Sequence, residues 1–133
     1  MKNLKTLIKL HKNQVDNILK EIAKLNGNKE LMEKRLFEIS EKMNLEAAQF
    51  TATEFGFALD AYLTGARSAI GKLKQNISGL DAKILDAQML LHDQFSELKK
   101  FEIALQNRQN ELKDAENAAE IKEIDEINIQ KFA

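Results

Sequence analysis

The chain of 133 residues contains no cysteine, no proline and no tryptophan, and only five glycines and one tyrosine. The absence of cysteine excludes a disulfide framework and suits a reducing compartment. The absence of proline leaves nothing in the sequence that must break a helix. Charged residues make up 31% of the chain but nearly cancel, to a net charge of -1. This balance argues against a nucleic-acid-binding coiled coil, which would need a basic stripe.

Long apolar runs are also missing from the chain. No segment approaches the roughly 18 apolar residues that a membrane-spanning helix requires. Residues 1–12 interleave apolar side chains with four lysines, which argues against a signal-peptide core. We therefore expect a cytoplasmic protein without a spanning helix.

Apolar residues instead recur in steps of three and four along almost the whole chain. The first series consists of Leu4, Ile8, His11, Val15, Ile18, Ile22, Leu25, Lys29, Met32, Leu36, Ile39, Met43, Glu46 and Phe50. The second series consists of Leu59, Leu63, Ala66, Ile70, Leu73, Ile77, Leu80, Ile84, Ala87, Leu91, Gln94, Leu98, Phe101, Leu105, Arg108, Leu112, Ala115 and Ala119. Nearly all are apolar, which is the heptad signature of a coiled-coil seam. The sequence therefore predicts an all-α fold, a long two-helix antiparallel coiled-coil hairpin with an overhanging C-terminal helix.

The two series lose phase between Phe50 and Phe57, where Gly56 falls on the seam, so we place the turn there. The predicted single helical hairpin over residues 1–133 has arm one at about 2–49, a turn within about 50–57 and arm two at about 58–132. Two registers remain open. One opposes Phe50 to Leu59, and the other slides one helix by a heptad.

A rival fold comes from Asn26-Gly27-Asn28, because Asn-Gly is a strong turn signal that could split the first arm. The result would be a three-helix bundle. The seam, however, runs in phase from Leu25 to Met32 across this motif. We therefore favour the unbroken hairpin.

The end of the second arm is acidic. Its carboxylates are Glu111, Asp114, Glu116, Glu120, Glu123, Asp125 and Glu126. The same stretch carries Ile121, Ile124, Ile127, Ile129 and Phe132, whose spacing leaves the heptad. Two interpretations remain open: a solvated, fraying end, or a helix that orders when a partner buries these side chains.

We expect no enzyme activity, no cofactor and no metal site. His11 and His92 lie far apart, and neither has a second histidine or a cysteine at metal-ligand spacing. A two-helix hairpin also offers no pocket that could shift the pKa of a carboxylate. We interpret the polar seam residues Lys29, Glu46 and Gln94 as devices that fix the register, a role that His11 could share.

Aromatic side chains cluster around the predicted turn, at Phe50, Phe55, Phe57 and Tyr62. They either cap the end of the hairpin or remain exposed as a docking patch of the kind that anchors protein interfaces.

The chain resembles the FliJ family of flagellar type III export proteins. The resemblance rests on the short first arm, the turn near the middle, and the motifs Tyr62-Leu63-x-x-Ala66-x-x-x-Ile70, Glu97-Leu98-Lys99-Lys100-Phe101-Glu102 and Ile124-Asp125-Glu126 followed by Phe132. One departure is Ala66, where the family usually has a larger apolar residue.

The resemblance implies a stalk that couples a hexameric export ATPase to the membrane export gate and handles export chaperones, peripheral to the inner membrane through its partners. The resemblance implies gate contacts around Phe37, Met43, Tyr62, Leu63 and Ile70, and the aromatic cluster at the turn adds Phe50, Phe55 and Phe57 to the candidate tip residues. The implied ATPase-contacting residues at the open end are Leu4, Leu7, Ile121, Ile124, Asp125, Glu126 and Phe132. Two alternatives to the flagellar stalk remain open, an injectisome stalk and an unrelated coiled-coil scaffold. Whether the chain is a monomer or a dimer also remains open.

Overall fold

The computed structural model of the protein contains two α-helices. Helix α1 runs over Lys2–Phe50 and helix α2 over Gly56–Phe132. The structure describes the backbone of residues 2–50 and 56–132, and the side chains of residues 2–49 and 58–131. Within these ranges every residue is helical. The predicted turn falls partly on residues 51–55, which lie outside the described residues.

The two helices pack against each other, which confirms the predicted two-helix hairpin. Helix α1 continues without a break through residues 26–28, so the rival three-helix bundle is wrong. Gly27 lies on the exposed face of α1, in open space. The helix tolerates this glycine, which costs up to about 1 kcal/mol relative to alanine, because the neighbouring Leu25 is buried.

The chain divides into two compact units. We call Met1–Asp16 with His92–Ala133 the terminal unit, and Asn17–Leu91 the central unit. In the terminal unit Ile8 and Val15 of α1 and Leu98 of α2 are buried. In the central unit Leu25 and Ile84 are buried. The prediction that residues 1–133 form one domain with the stated arm bounds stays a prediction.

The buried side chains follow the predicted seam. All five occupy positions of the two apolar series, and the other described members up to Leu105 are half-buried. None of the described side chains is completely enclosed, because two helices can cover only a stripe on each other. The interior is therefore a narrow seam.

Helix α2 outruns α1, since the two helices contain 77 and 49 residues. All residues in the range 106–131, which we call the overhang, are exposed. The overhang includes four members of the second apolar series: Arg108, Leu112, Ala115 and Ala119. They were predicted to lie in the seam, but α1 begins at Lys2 and no part of it covers them. Over its described residues, neither helix combines the length and the apolar character needed to cross a membrane.

Candidate docking surfaces

A polar and aromatic contact joins the two helices of the terminal unit. His11 Nδ1 donates a hydrogen bond to Gln94 Oε1 at 2.8 Å. The His11 ring also stacks on the Phe101 ring, with centroids 5.2 Å apart and planes 24° from parallel. All three side chains are half-buried seam residues. The hydrogen bond gives His11 a partner inside the seam, where an unpaired polar group would destabilise the fold.

An ion pair joins the two helices of the central unit. Lys29 Nζ lies 2.6 Å from Asp81 Oδ1 and 3.7 Å from Glu33 Oε1. The hydrogen bond to Asp81 and the charges of both carboxylates raise the pKa of Lys29 above its ordinary 10.5, while desolvation of the ammonium opposes them. Lys29 is therefore firmly charged at neutral pH.

The ion pair identifies the register in which the two helices of the central unit pair. In the register that opposes Phe50 to Leu59, position 80 faces Lys29, and the observed partner is the adjacent Asp81. A heptad slip would bring Lys29 to position 73 or 87 instead. The central unit therefore adopts the first of the two predicted registers. The role of the polar seam residues as register devices stays a prediction, and Glu46 is half-buried without a salt bridge within the described part of the chain.

The predicted tip residues are only partly placed by the structure. Phe37 is strongly exposed, at 64%, whereas the remaining described side chains, Met43, Tyr62, Leu63 and Ile70, are half-buried. The side chains of Phe50 and Phe57 are not described, and Phe55 lies outside the described residues.

A shallow apolar depression of about 400 Å³ lies in the central unit. Its lining consists of Ile39, Lys42, Ala61, Tyr62, Gly65, Ala66 and Ala69. The small side chains on α2, together with Gly65, leave this space open opposite Ile39. Of the predicted tip residues whose side chains the structure describes, Tyr62 alone lines the depression. The sequence analysis did not predict this depression. The signal that could have found it was the alanine at seam position 66.

The predicted open-end residues do not form one surface. Leu4 and Leu7 are half-buried on α1, whereas Ile121, Ile124 and the carboxylates of Asp125 and Glu126 are exposed on the overhang. The side chain of Phe132 is not described. Among the described side chains of α2, which run to residue 131, Leu105 is the last that is half-buried, and Ile121 follows it by 16 residues, or about 24 Å at the rise of an α-helix.

Three isoleucines form a stripe on the overhang. Ile121, Ile124 and Ile127 follow one another at three-residue steps, and all three are exposed. With about 3.6 residues per turn, Ile121 and Ile124 face away from the side of α2 on which Leu112 continues the seam, whereas Ile127 lies nearer to it, about 60° around the helix from Leu112. We call these three residues the isoleucine stripe. It is a surface distinct from the seam, flanked by acidic side chains.

Lysines form a matching row on α1. Lys2, Lys5, Lys9 and Lys12 recur at steps of three and four on one side of the helix, and all are exposed. Within the described residues, none of them lies within salt-bridge distance of a carboxylate. The terminal unit therefore presents a basic helix start and an acidic overhang.

Large apolar side chains are exposed elsewhere as well, at positions that the sequence analysis passed over. The main examples are Leu31, Leu45, Leu85, Met89 and Ile103. They occupy heptad positions outside the seam. A large apolar residue at such a position is the sequence signal that could have predicted an exposed apolar side chain.

The comparisons with known proteins give one match. The family model described as the flagellar FliJ protein matches residues 1–133, the whole chain. Neither the curated proteins nor the solved structures contain a match. A match over this entire length agrees with the two-helix hairpin, and the chain therefore belongs to the FliJ family of flagellar type III export proteins.

Proposed function

We propose that this protein is a non-enzymatic coiled-coil stalk that couples the cytoplasmic export ATPase ring to the membrane export gate and handles export chaperones. The family match supports the flagellar system over the injectisome. The proposal makes the protein cytoplasmic, held at the inner membrane only through its partners. For the chaperones, family membership is the sole support.

The overhang is the observation that carries the proposal. Residues 106–131 are helical but exposed along their whole length, and isolated helices of modest length are marginal in water. Burying one exposed isoleucine side chain contributes about 1.5–3 kcal/mol. A partner that covers the isoleucine stripe would therefore order the overhang and gain affinity from the same contact.

We assign the ATPase contact to the open-end residues on this basis. Ile121 and Ile124 supply apolar area, and Asp125 and Glu126 supply charge for a basic surface on the ATPase. Leu4, Leu7 and Phe132 complete the proposed set of ATPase-contacting residues, with Leu4 and Leu7 on α1, apart from the overhang isoleucines. The two leucines are half-buried, so a partner gains less area from them than from the isoleucines.

We assign the gate contact to the tip residues, with Phe37 as the main anchor. An exposed phenylalanine beside a polar rim has the properties of an interface hot spot. The depression next to Tyr62 offers a place for an apolar side chain of the gate. Met43, Phe50, Phe55, Phe57, Leu63 and Ile70 complete the proposed set.

The test combines the purified protein with the export ATPase of the same organism, following ATP turnover and ring assembly. We expect the intact chain to stimulate turnover. A truncation after Ala115 and the double variant Ile121→Asp/Ile124→Asp should both lose the stimulation, because the truncation removes the isoleucine stripe and the double variant places carboxylates at two of its three positions.

Ile103→Asp is the matched control. Ile103 and Ile124 are equally exposed, at 57%, and both lie on α2, but Ile103 belongs to neither proposed surface. The control should stimulate turnover as the wild type does. No stimulation by the wild-type chain at any ratio would contradict the stalk and favour an unrelated scaffold.

A further inference from the structure

Glycines on both helices lie near the same level of the central unit. Gly27 is the one glycine in α1, and it precedes Lys29 by two residues. Gly79 of α2 precedes Asp81 by two residues. Because Lys29 and Asp81 are in contact at 2.6 Å, both glycines lie within about one helical turn of this ion pair.

Packing does not explain either glycine. A Cβ atom added at Gly27 or at Gly79 would meet nothing within 4 Å. Neither helix therefore needs a glycine there for close approach to a neighbour. Each glycine instead makes the helix locally less stable than alanine would, because glycine has a lower helix propensity.

The surrounding residues weaken the same level further. Asn26, Asn28 and Ser78 are exposed and are poor helix formers. On α1 the seam position between Leu25 and Met32 is taken by Lys29, so α1 supplies no apolar side chain opposite the half-buried Leu80 of α2. The Lys29 side chain reaches Asp81 through a flexible four-carbon chain. The ion pair can therefore persist when the helices bend, whereas tightly packed core side chains would resist bending.

We propose that residues 26–29 of α1 and 78–81 of α2 form a joint, a level at which the hairpin opens locally and bends. The joint combines a glycine on each helix with a seam contact that is polar and extendable. Gly65 and Gly71 of α2 are equally open, but no glycine of α1 matches them. This inference goes beyond the proposed function, and its test needs neither the ATPase nor the gate.

Hydrogen exchange on the full chain tests local opening. After correction for intrinsic rates, amides of residues 26–29 and 78–81 should be protected at least about fivefold less than amides one to two turns away on the same helices. The variant Gly27→Ala/Gly79→Ala should raise protection at the joint by about 5- to 30-fold, the effect of strengthening two helix positions.

The variant Gly65→Ala/Gly71→Ala is the matched control, because it also removes two glycines from open space. It should leave exchange at residues 26–29 unchanged. The joint is overturned if residues 26–29 and 78–81 are as protected as their flanks, or if the control slows exchange at 26–29 as much as Gly27→Ala/Gly79→Ala does.

Spin labels test bending, and the absence of native cysteine leaves only the two introduced sites labelled. Lys20→Cys and Glu41→Cys place labels on the same exposed face of α1, on either side of Gly27. A straight helix puts the two backbone sites about 31 Å apart. We expect a distance distribution with a tail to shorter values that Gly27→Ala/Gly79→Ala removes. A distribution equally narrow in both proteins would rule out bending.

Discussion

At the scale of single residues, the two cross-helix polar contacts discriminate between registers. A heptad slip would exchange Gln94 for Ala87 or Phe101 opposite His11, and neither side chain can accept its hydrogen bond. The same slip would replace Asp81 with Lys74 or Gln88 opposite Lys29, so the ion pair would be lost. Neither contact could form in the slipped pairings, which supports the prediction that these residues fix the register.

Gln94→Leu should lower the free energy of unfolding by about 1 kcal/mol, because it leaves His11 Nδ1 without its partner in a half-buried seam. The double variant His11→Leu/Gln94→Leu should recover this loss, since it replaces both polar partners with apolar ones. Urea unfolding of the three proteins measures the difference. If the single and double variants lost the same free energy of unfolding, the missing hydrogen bond would not be the cause of the destabilisation.

Asp81→Asn should change how stability depends on alkaline pH. The pKa of Lys29 is raised above 10.5 in the folded chain, so the ion pair contributes fully below 10.5 and its contribution is lost as the pH rises through the raised value. The stability gap between wild type and Asp81→Asn should therefore be larger at pH 9 than above the raised pKa. Urea unfolding across this pH range measures the stability gap. A gap that does not change with pH would contradict the assignment of the raised Lys29 pKa to the ion pair with Asp81.

The sequence was sufficient to single out His11, Lys29 and Gln94, because a polar residue in an apolar series stands out. It was not sufficient to identify Asp81, which lies beside the seam and looks like any surface carboxylate. Glu46 shows the opposite case, since it occupies a seam position but makes no salt bridge within the described residues. A polar seam position alone therefore does not specify a partner.

At the scale of helices, the apolar repeat predicted both elements and the residues that they bury. It failed beyond Leu105, where Leu112, Ala115 and Ala119 keep the heptad spacing but are exposed. Spacing records what a helix can bury, whereas burial also needs a second helix at the same level. The sequence-based estimate that arm two must overhang arm one was correct for this reason.

Stability should be concentrated in the paired part of α2. Leu98→Ala should cost about 2 kcal/mol or more, because Leu98 is only 7% exposed and its removal leaves a gap in the seam. Truncation after Ala115 should cost about 1 kcal/mol or less, because it removes exposed residues. Urea unfolding compares the two variants, and a larger loss from the truncation would show that the overhang packs on the hairpin.

At the scale of the whole molecule, the candidate site divides into surfaces of different character. The tip set contains Phe37 and the half-buried residues around Tyr62, whereas the overhang carries isoleucines among carboxylates. The sequence could place these residues on their helices. For two of them it also predicted burial, since Met43 belongs to the apolar series and is half-buried, whereas Phe37 lies outside the series and is exposed.

The two proposed contacts should be separable by single substitutions. Phe37→Asp should weaken binding to the purified cytoplasmic domain of the gate by tenfold or more, as expected for a hot spot, and leave ATPase stimulation unchanged. Ile124→Asp should do the reverse. Both side chains are exposed, so neither change should alter the melting temperature by more than a few degrees. Loss of both activities from either variant would contradict separate surfaces.

The difference in length between the two helices also bears on the order in which their contacts form during folding. His11 and Gln94 lie 83 residues apart in sequence, farther than Lys29 and Asp81, so closing their loop directly costs more chain entropy. Contacts with short sequence separation therefore form first, and each one shortens the loop that the next must close. We therefore expect pairing of the two helices to proceed toward the chain termini, and the overhang to be reached last, when the described part of α1 has no further residues to pair with it.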